Sequence, residues 1–223
     1  MSIKEQQLID FNFDKNYKSD DFFVSKCNYF AFNLLDSWPK WEKNILNVHG
    51  EKYSGKSHLS EIFIKKNKGL ILNPEKLKIN YEKDLRFYEN IILDDFNEQI
   101  DEKIIFSLIN FVDQNSKYLI INSISPFNKM NFNLKDLGSR AKNCLEAKIE
   151  KPDDELTKVL IFKHLSDKQI KIDNKLVEFA AKRITRSYSK ISEFIYKIDE
   201  ISLKKKKSID QKTIKEALGE KFV

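Results

Sequence analysis

Short apolar runs alternate with amphipathic stretches along the first two thirds of the chain, and the alternation stops near Pro152. Ile45-Leu46-Asn47-Val48, Leu70-Ile71-Leu72, Ile91-Ile92-Leu93, Leu119-Ile120-Ile121 and the run 145–149 are each bounded by polar or turn residues. Strands alternating with helices predict a parallel sheet covered on both faces. One helix is predicted over 25–38, with Ser25 as its N-cap, Phe30, Leu34 and Leu35 on one face, and Pro39 as its stop. Others cover 56 to about 66 and 102–115, and 136–140 reads as helix-like. After Pro152 only helices are predicted, over 153–165, 174–184, 189–203 and 211–218. In the first of these, Leu156, Val159, Leu160 and Lys163 follow the i, i+3, i+4, i+7 spacing of one helical face, which Phe162 widens. The expected division is an N-terminal arm over 1–20, an α/β domain over 21–151 and a helical domain over 152–223.

The strongest chemical signal is Gly50-Glu51-Lys52-Tyr53-Ser54-Gly55-Lys56-Ser57, a complete GxxxxGK[ST] between an apolar strand and an amphipathic helix. Glycines there let the backbone wrap a phosphate at the positive end of the helix dipole. Lys56 would neutralise the β- and γ-phosphates, and the Ser57 hydroxyl would ligate Mg²⁺. Asn90-Ile91-Ile92-Leu93-Asp94-Asp95 then delivers a carboxylate to the edge of the sheet beside that loop. Asp94 would hold the magnesium through water, and Asp95 would orient an attacking water. Asn122, with Ser123 as the fallback, is the polar residue that strand alternation sets beside Asp94. An Asn opening a turn before Pro126 is the other reading, and the sequence does not choose between them. Arg140 precedes the fifth strand and is either a surface ion pair or a guanidinium reaching into a neighbouring subunit's site.

Composition narrows this picture only a little. The chain has 223 residues, 41% hydrophobic and 33% charged, and no apolar run exceeds four residues, too short for a membrane span. The formal net charge is +6, but only four of the 40 basic residues are arginine. Lys lacks the planar fork that reads bases and phosphates, so basicity alone says little about nucleic acid. The run Lys204-Lys205-Lys206-Lys207 reads as a solvated charge block. Cys27 and Cys144 form no CxxC pair and the three histidines stand at no metal-ligand spacing, so neither a disulfide framework nor a zinc site is expected. A cytoplasmic protein follows. Trp38 and Trp41, on either side of Pro39, are expected to pack the first helix onto the domain.

The phosphate loop, the acidic strand end, the polar residue at 122, the Arg before the last strand and the helical tail together resemble an AAA+ ATPase. Asp21-Phe22-Phe23-Val24-Ser25-Lys26-Cys27-Asn28 is similar to the opening box of the DnaA-related family. Gly55-Lys56-Ser57-His58-Leu59, Ile92-Leu93-Asp94-Asp95 and Leu137-Gly138-Ser139-Arg140 look like segments of the same family. The resemblance implies a five-stranded parallel αβα sandwich with a C-terminal four-helix lid. It implies ADP or ATP with Mg²⁺ as ligand, a base framed by Phe23, Val24 and Asn28, and Arg140 as an arginine finger acting in trans.

Only 16 residues separate Asn73 from Asn90, and the sequence ends at Val223, so the expectation is an initiator-like core without the initiator's DNA-binding parts. Within the family this resembles the Hda-type inactivators of DnaA. Such proteins carry a sliding-clamp-binding peptide near the N-terminus, and Gln6-Gln7-Leu8-Ile9-Asp10-Phe11 fits it, with Ile9 and Phe11 as apolar anchors and Gln6 fixing register. Phe13 anchoring the arm on its own domain is the competing explanation. The implied partners are the clamp and DnaA, with DNA reached only through the clamp and self-association left open. One departure stands out: the position of the family's lid arginine is Ser189, and Arg186, three residues earlier, is the candidate to reach the phosphates instead. Intrinsic hydrolysis is therefore expected to be weak. A DnaC-like helicase loader and, behind it, a small-molecule phosphate-loop kinase are the alternatives.

Overall fold

The structure, a computed structural model, describes residues 22–74, 77, 82–205 and 209–219. Gln6, Ile9 and Phe11 lie outside the described residues, as do Phe13, Asp21, Lys206 and Lys207. In chain order the elements begin α1 (Tyr29–Asp36), β1 (Ile45–His49), α2 (Lys56–Asn67), β2 (Leu70–Leu72), α3 (Glu82–Leu85), β3 (Asn90–Phe96), α4 (Glu102–Gln114) and β4 (Tyr118–Ser123). A 3-10 turn at Phe127–Lys129 leads to α5 (Lys135–Lys142) and β5 (Leu145–Lys148), and the chain closes with α6 (Asp154–Asp167), α7 (Asn174–Ala181), α8 (Tyr188–Lys205) and α9 (Gln211–Leu218).

The strands form one sheet in the order β2-β3-β4-β1-β5, every pair parallel. Alternate residues feed two cores. Ile45, Ile91, Leu93, Leu119 and Ile121 pack with α4 and α5, while Leu46, Val48, Ile92, Ile120 and Ala147 pack with α1 and α2. The central strands β1, β3 and β4 are covered on both faces, whereas the edge strand β5 leaves Glu146 and Lys148 exposed. Trp38 and Trp41 do hold the segment after α1, each against both Phe63 of α2 and Tyr118 of β4. A third core, including Ile161, Leu165, Ile191, Ile198 and Ile214, belongs to α6–α9. The N-terminal half of α6 joins the two parts: Leu156 lies in the sheet-side core, and Leu160 touches both. Among the described residues, no helix is long and apolar enough to cross a membrane.

Two expected elements change and one unexpected element appears. The first helix starts at Tyr29, because Asn28 Oδ1 accepts from Ser25 N at 2.8 Å and Nδ2 donates to Phe23 O at 2.9 Å, tying 23–28 into a turn. A short helix at Glu82–Leu85 appears where none was predicted. The third strand runs on through its acids to Phe96, by way of a bulge.

Candidate nucleotide site

β1 delivers the chain to Gly50 at the C-terminal edge of the sheet, where Gly50 N donates to Ser123 O of β4 at 3.2 Å. A Cβ at 50 would stand 2.9 Å from Ile149 O and 3.2 Å from Ser54 Oγ, so only glycine fits. Gly55 has φ +92°, a left-handed conformation, and a Cβ there would meet the Phe22 ring at 3.0 Å. The loop between them closes on itself through Ser54 N to Glu51 O at 3.1 Å and feeds directly into α2. Such a loop at a helix N-terminus presents backbone N–H groups to an anion.

Lys56 is buried within it, at 6% exposure. Its Nζ donates to Gly50 O at 2.9 Å and Glu51 O at 3.0 Å, with Ser54 Oγ at 3.4 Å. Burial pulls the Lys56 pKa below its ordinary value, against the charges of Asp95, Asp94 and Glu51.

Those acids sit on the bulge. Leu93 pairs with Ile121 and Phe96 with Ser123, so Asp94 and Asp95 together oppose Asn122. Asp95 takes φ +59° and is exposed, while Asp94 stays half-buried. Bulges of this kind re-aim side chains beside functional sites. Asn122 is fully buried, and its Nδ2 donates to Asp94 Oδ1 and to Ser60 Oγ of α2, both at 2.7 Å. The amide is thus a bracket between the acid and the helix behind the phosphate loop. Its Oδ1 has no hydrogen-bond partner among the described residues. Ser123 is occupied elsewhere: it accepts from Asn47 Nδ2 at 2.8 Å and donates to Ser125 O at 2.6 Å.

A cleft of 840 Å³ opens between this loop and the C-terminal helices. Ser54 to His58 line one side with Asp95, while Leu160 and His164 of α6, Lys168 just past its end, and Ile191, Ile195 and Tyr196 of α8 line the other. The phosphate side is polar and the helical side mostly apolar, as a nucleotide with a charged end and an aromatic end requires. His164 is exposed, and partial desolvation at the cleft wall holds its pKa down, countered in part by Asp167. Ser57 and Asp95 line the cleft, while Asp94, next to Asp95 and held by Asn122, does not itself line it; Ser57 with one carboxylate matches the one or two protein ligands Mg²⁺ takes when phosphates supply more. Among the described residues no group of three or more His, Cys, Asp or Glu forms a protein-only metal cage.

Other expected residues do not line the cleft. Phe23 and Val24 are half-buried against the sheet-side core, and Asn28 spends its carboxamide on the 23–28 turn. It is Phe22 that abuts the loop, edge-on to His58 at 5.4 Å. Arg186 is drawn away by a two-pronged ion pair with Asp154, both bonds 2.9 Å, at an exposed spot outside the cleft. Arg140 lies at the other end of the sheet, its guanidinium on Asp113 of α4 and 3.4 Å from Asn110 Oδ1. Sequence reasoning missed Glu51, whose carboxylate reaches across to α8. The one hint was that the first turn of α8 contains no acid of its own.

Strand order, phosphate loop, braced acid and helical cap define a phosphate-loop α/β protein of the AAA+ fold. Solved structures of DnaA and of other proteins share this fold. Domain III of the Thermotoga maritima replication initiation protein DnaA superposes with a TM-score of 0.73 at 22% identity, covering 89% of this chain and 93% of that one. AMPPCP-bound DnaA from Aquifex aeolicus gives 0.65 at 19% identity, covering 87% and 68%. A RuvB mutant from Thermotoga maritima gives 0.67 at 11% identity, covering 88% and 70%. No family model and no curated protein matches the sequence.

Proposed function

We propose that this chain binds ADP or ATP with Mg²⁺ between its phosphate loop and helical lid and works as an Hda-like negative regulator of replication initiation. It docks on the DNA-loaded sliding clamp through Gln6, Ile9 and Phe11 and presents Arg140 to the ATP of a DnaA molecule. Bound Mg²⁺ supplies charge neutralisation at the β- and γ-phosphates. Lys56 and the loop amides grip the phosphates, and Asn122 holds Asp94 in place.

The observation that supports this reading most is where Arg140 sits. Its helix leads into the start of β5, which pairs with the start of β1 (Leu46 with Leu145), whereas the phosphate loop follows the end of β1. A five-residue strand spans about 16 Å, farther than an arginine side chain reaches. The guanidinium therefore serves another molecule's nucleotide or none. Conversely, no described arginine lines this chain's own cleft. That favours a nucleotide kept as a ligand over rapid turnover, and so the regulator over a DnaC-like loader or a small-molecule kinase.

The test is phosphate release from ATP-loaded DnaA with this protein, the clamp and duplex DNA added in every combination. Acceleration that needs all three is expected. Turnover of ATP by this chain alone, with no effect on DnaA, would replace the reading with the loader.

A further inference from the structure

α8 is an 18-residue helix whose opening turn brings no acid of its own. Its free amide groups are met instead by a residue of the phosphate loop. Glu51 Oε2 accepts from Tyr188 N at 3.1 Å and Oε1 from Ser189 N at 3.2 Å, and the Ser187 hydroxyl donates to the same carboxylate. Ser187 then caps the next amide, its Oγ accepting from Lys190 N at 3.3 Å, while its carbonyl accepts from Ile191 N at 3.0 Å. The amides at the start of the helix are thus satisfied, and the carboxylate also lies on the positive end of the helix dipole. The main chain of the same Glu51 faces the opposite way, its carbonyl holding Lys56 Nζ. One residue therefore carries a contact to the phosphate-gripping lysine on its backbone and a contact to the lid on its side chain.

We propose that Glu51 is a positioning residue that couples occupancy of the phosphate loop to closure of α8 over the cleft. When the Lys56 ammonium moves from the carbonyls of Gly50 and Glu51 onto a phosphate, the backbone that bears the Glu51 carboxylate is released from it. The bonds to Tyr188 and Ser189 are directional, so α8 shifts with the loop or lets go. The cleft wall formed by Ile191 and Ile195 moves with the helix. The inference rests on the nucleotide reading only for the identity of the ligand, since the clamp between loop and helix is in the protein itself.

Amide hydrogen exchange of the segment 188–191, with and without ADP, tests it in the wild type, Glu51→Gln and Glu51→Asp. Without nucleotide, exchange at Tyr188 and Ser189 rises about tenfold or more in Glu51→Gln, the loss expected when charge-assisted bonds are weakened, and less in Glu51→Asp, which keeps the charge. With ADP the wild type changes its exchange at 188–191. Glu51→Gln still binds ADP, but it loses that distant response and releases ADP faster. The same exchange in wild type and Glu51→Gln without nucleotide would overturn the clamp. An unchanged ADP response and release rate in Glu51→Gln would overturn the coupling, leaving Glu51 a structural cap. Failure of the wild type to bind ADP would overturn the nucleotide reading and the coupling with it, while the nucleotide-free arm still reports on the clamp.

Discussion

Lys56 keeps its ammonium in a buried loop at a cost in solvation that two main-chain carbonyls and three nearby acids offset only in part. A phosphate is the natural replacement partner for such a group. Lys56→Ala should abolish the rise in thermal midpoint that saturating ADP gives the wild type, a rise worth about 2.7 kcal/mol at a hundred times the Kd. Asn122 has a different part: its amide joins Asp94 to Ser60 inside the sheet edge. Asn122→Ala leaves buried Ser60 and half-buried Asp94 short of a donor and should cost about 1–3 kcal/mol, read as a lower urea midpoint at unchanged slope. Acid should act through two separate groups. Burial would raise the Glu51 pKa, but the bonds from Ser187, Ser189 and Tyr188 together bring it below the ordinary 4.5. Its contribution is therefore complete above that value and is lost as pH falls through the depressed pKa. Partial desolvation lowers the His164 pKa from 6.5 although the residue is exposed, so the unfolded chain takes that proton first and stability falls by a small amount below pH 6.5. Urea titrations across pH should show an acid limb starting near 6.5 that His164→Gln flattens, and a lower one that Glu51→Gln removes.

Among the elements, the sheet was the most legible part of the sequence. Uniform apolar runs identify strands buried on both faces, and the GxxxxGK[ST] pattern fixes which strand end carries the loop. What stayed hidden were contacts between residues far apart in the chain. Ser25 does cap as the local rule says, its Oγ accepting from Cys27 N at 3.2 Å, but Asn28 reaches back to Phe23 and the regular helix opens only at Tyr29. Arg186 looked available because the Asp154 that captures it starts a different helix. The bulge at Asp94 and Asp95 shows only when β3 is set against β4. Gly69, at the turn into β2, shows how tightly such elements meet: a Cβ there would stand 2.4 Å from Asn90 O and 2.9 Å from Asn90 Cβ. Gly69→Ala should therefore force the backbones of β2 and β3 apart and cost about 1–3 kcal/mol, measurable by chemical unfolding.

At the scale of the whole molecule, the sheet with its two cores and the separate helical core of α6–α9 meet along one nucleotide-sized cleft, joined by α6 and by the reach of Glu51 to α8. That division suits a protein whose ligand sets the angle between its parts, and it puts the exposed half of Arg140 on a surface remote from its own loop. If Arg140 serves a DnaA molecule in trans, it does so without taking part in this chain's own nucleotide binding. The most direct measurement is single-turnover hydrolysis of DnaA-bound ATP on DNA-loaded clamp, driven by wild type or by Arg140→Ala, alongside the ADP affinity of each. Stimulation should fall by about 10³-fold or more, the worth of an arginine supplied in trans, with ADP affinity unchanged. Full stimulation by Arg140→Ala, or a matching loss of its ADP affinity, would contradict the account.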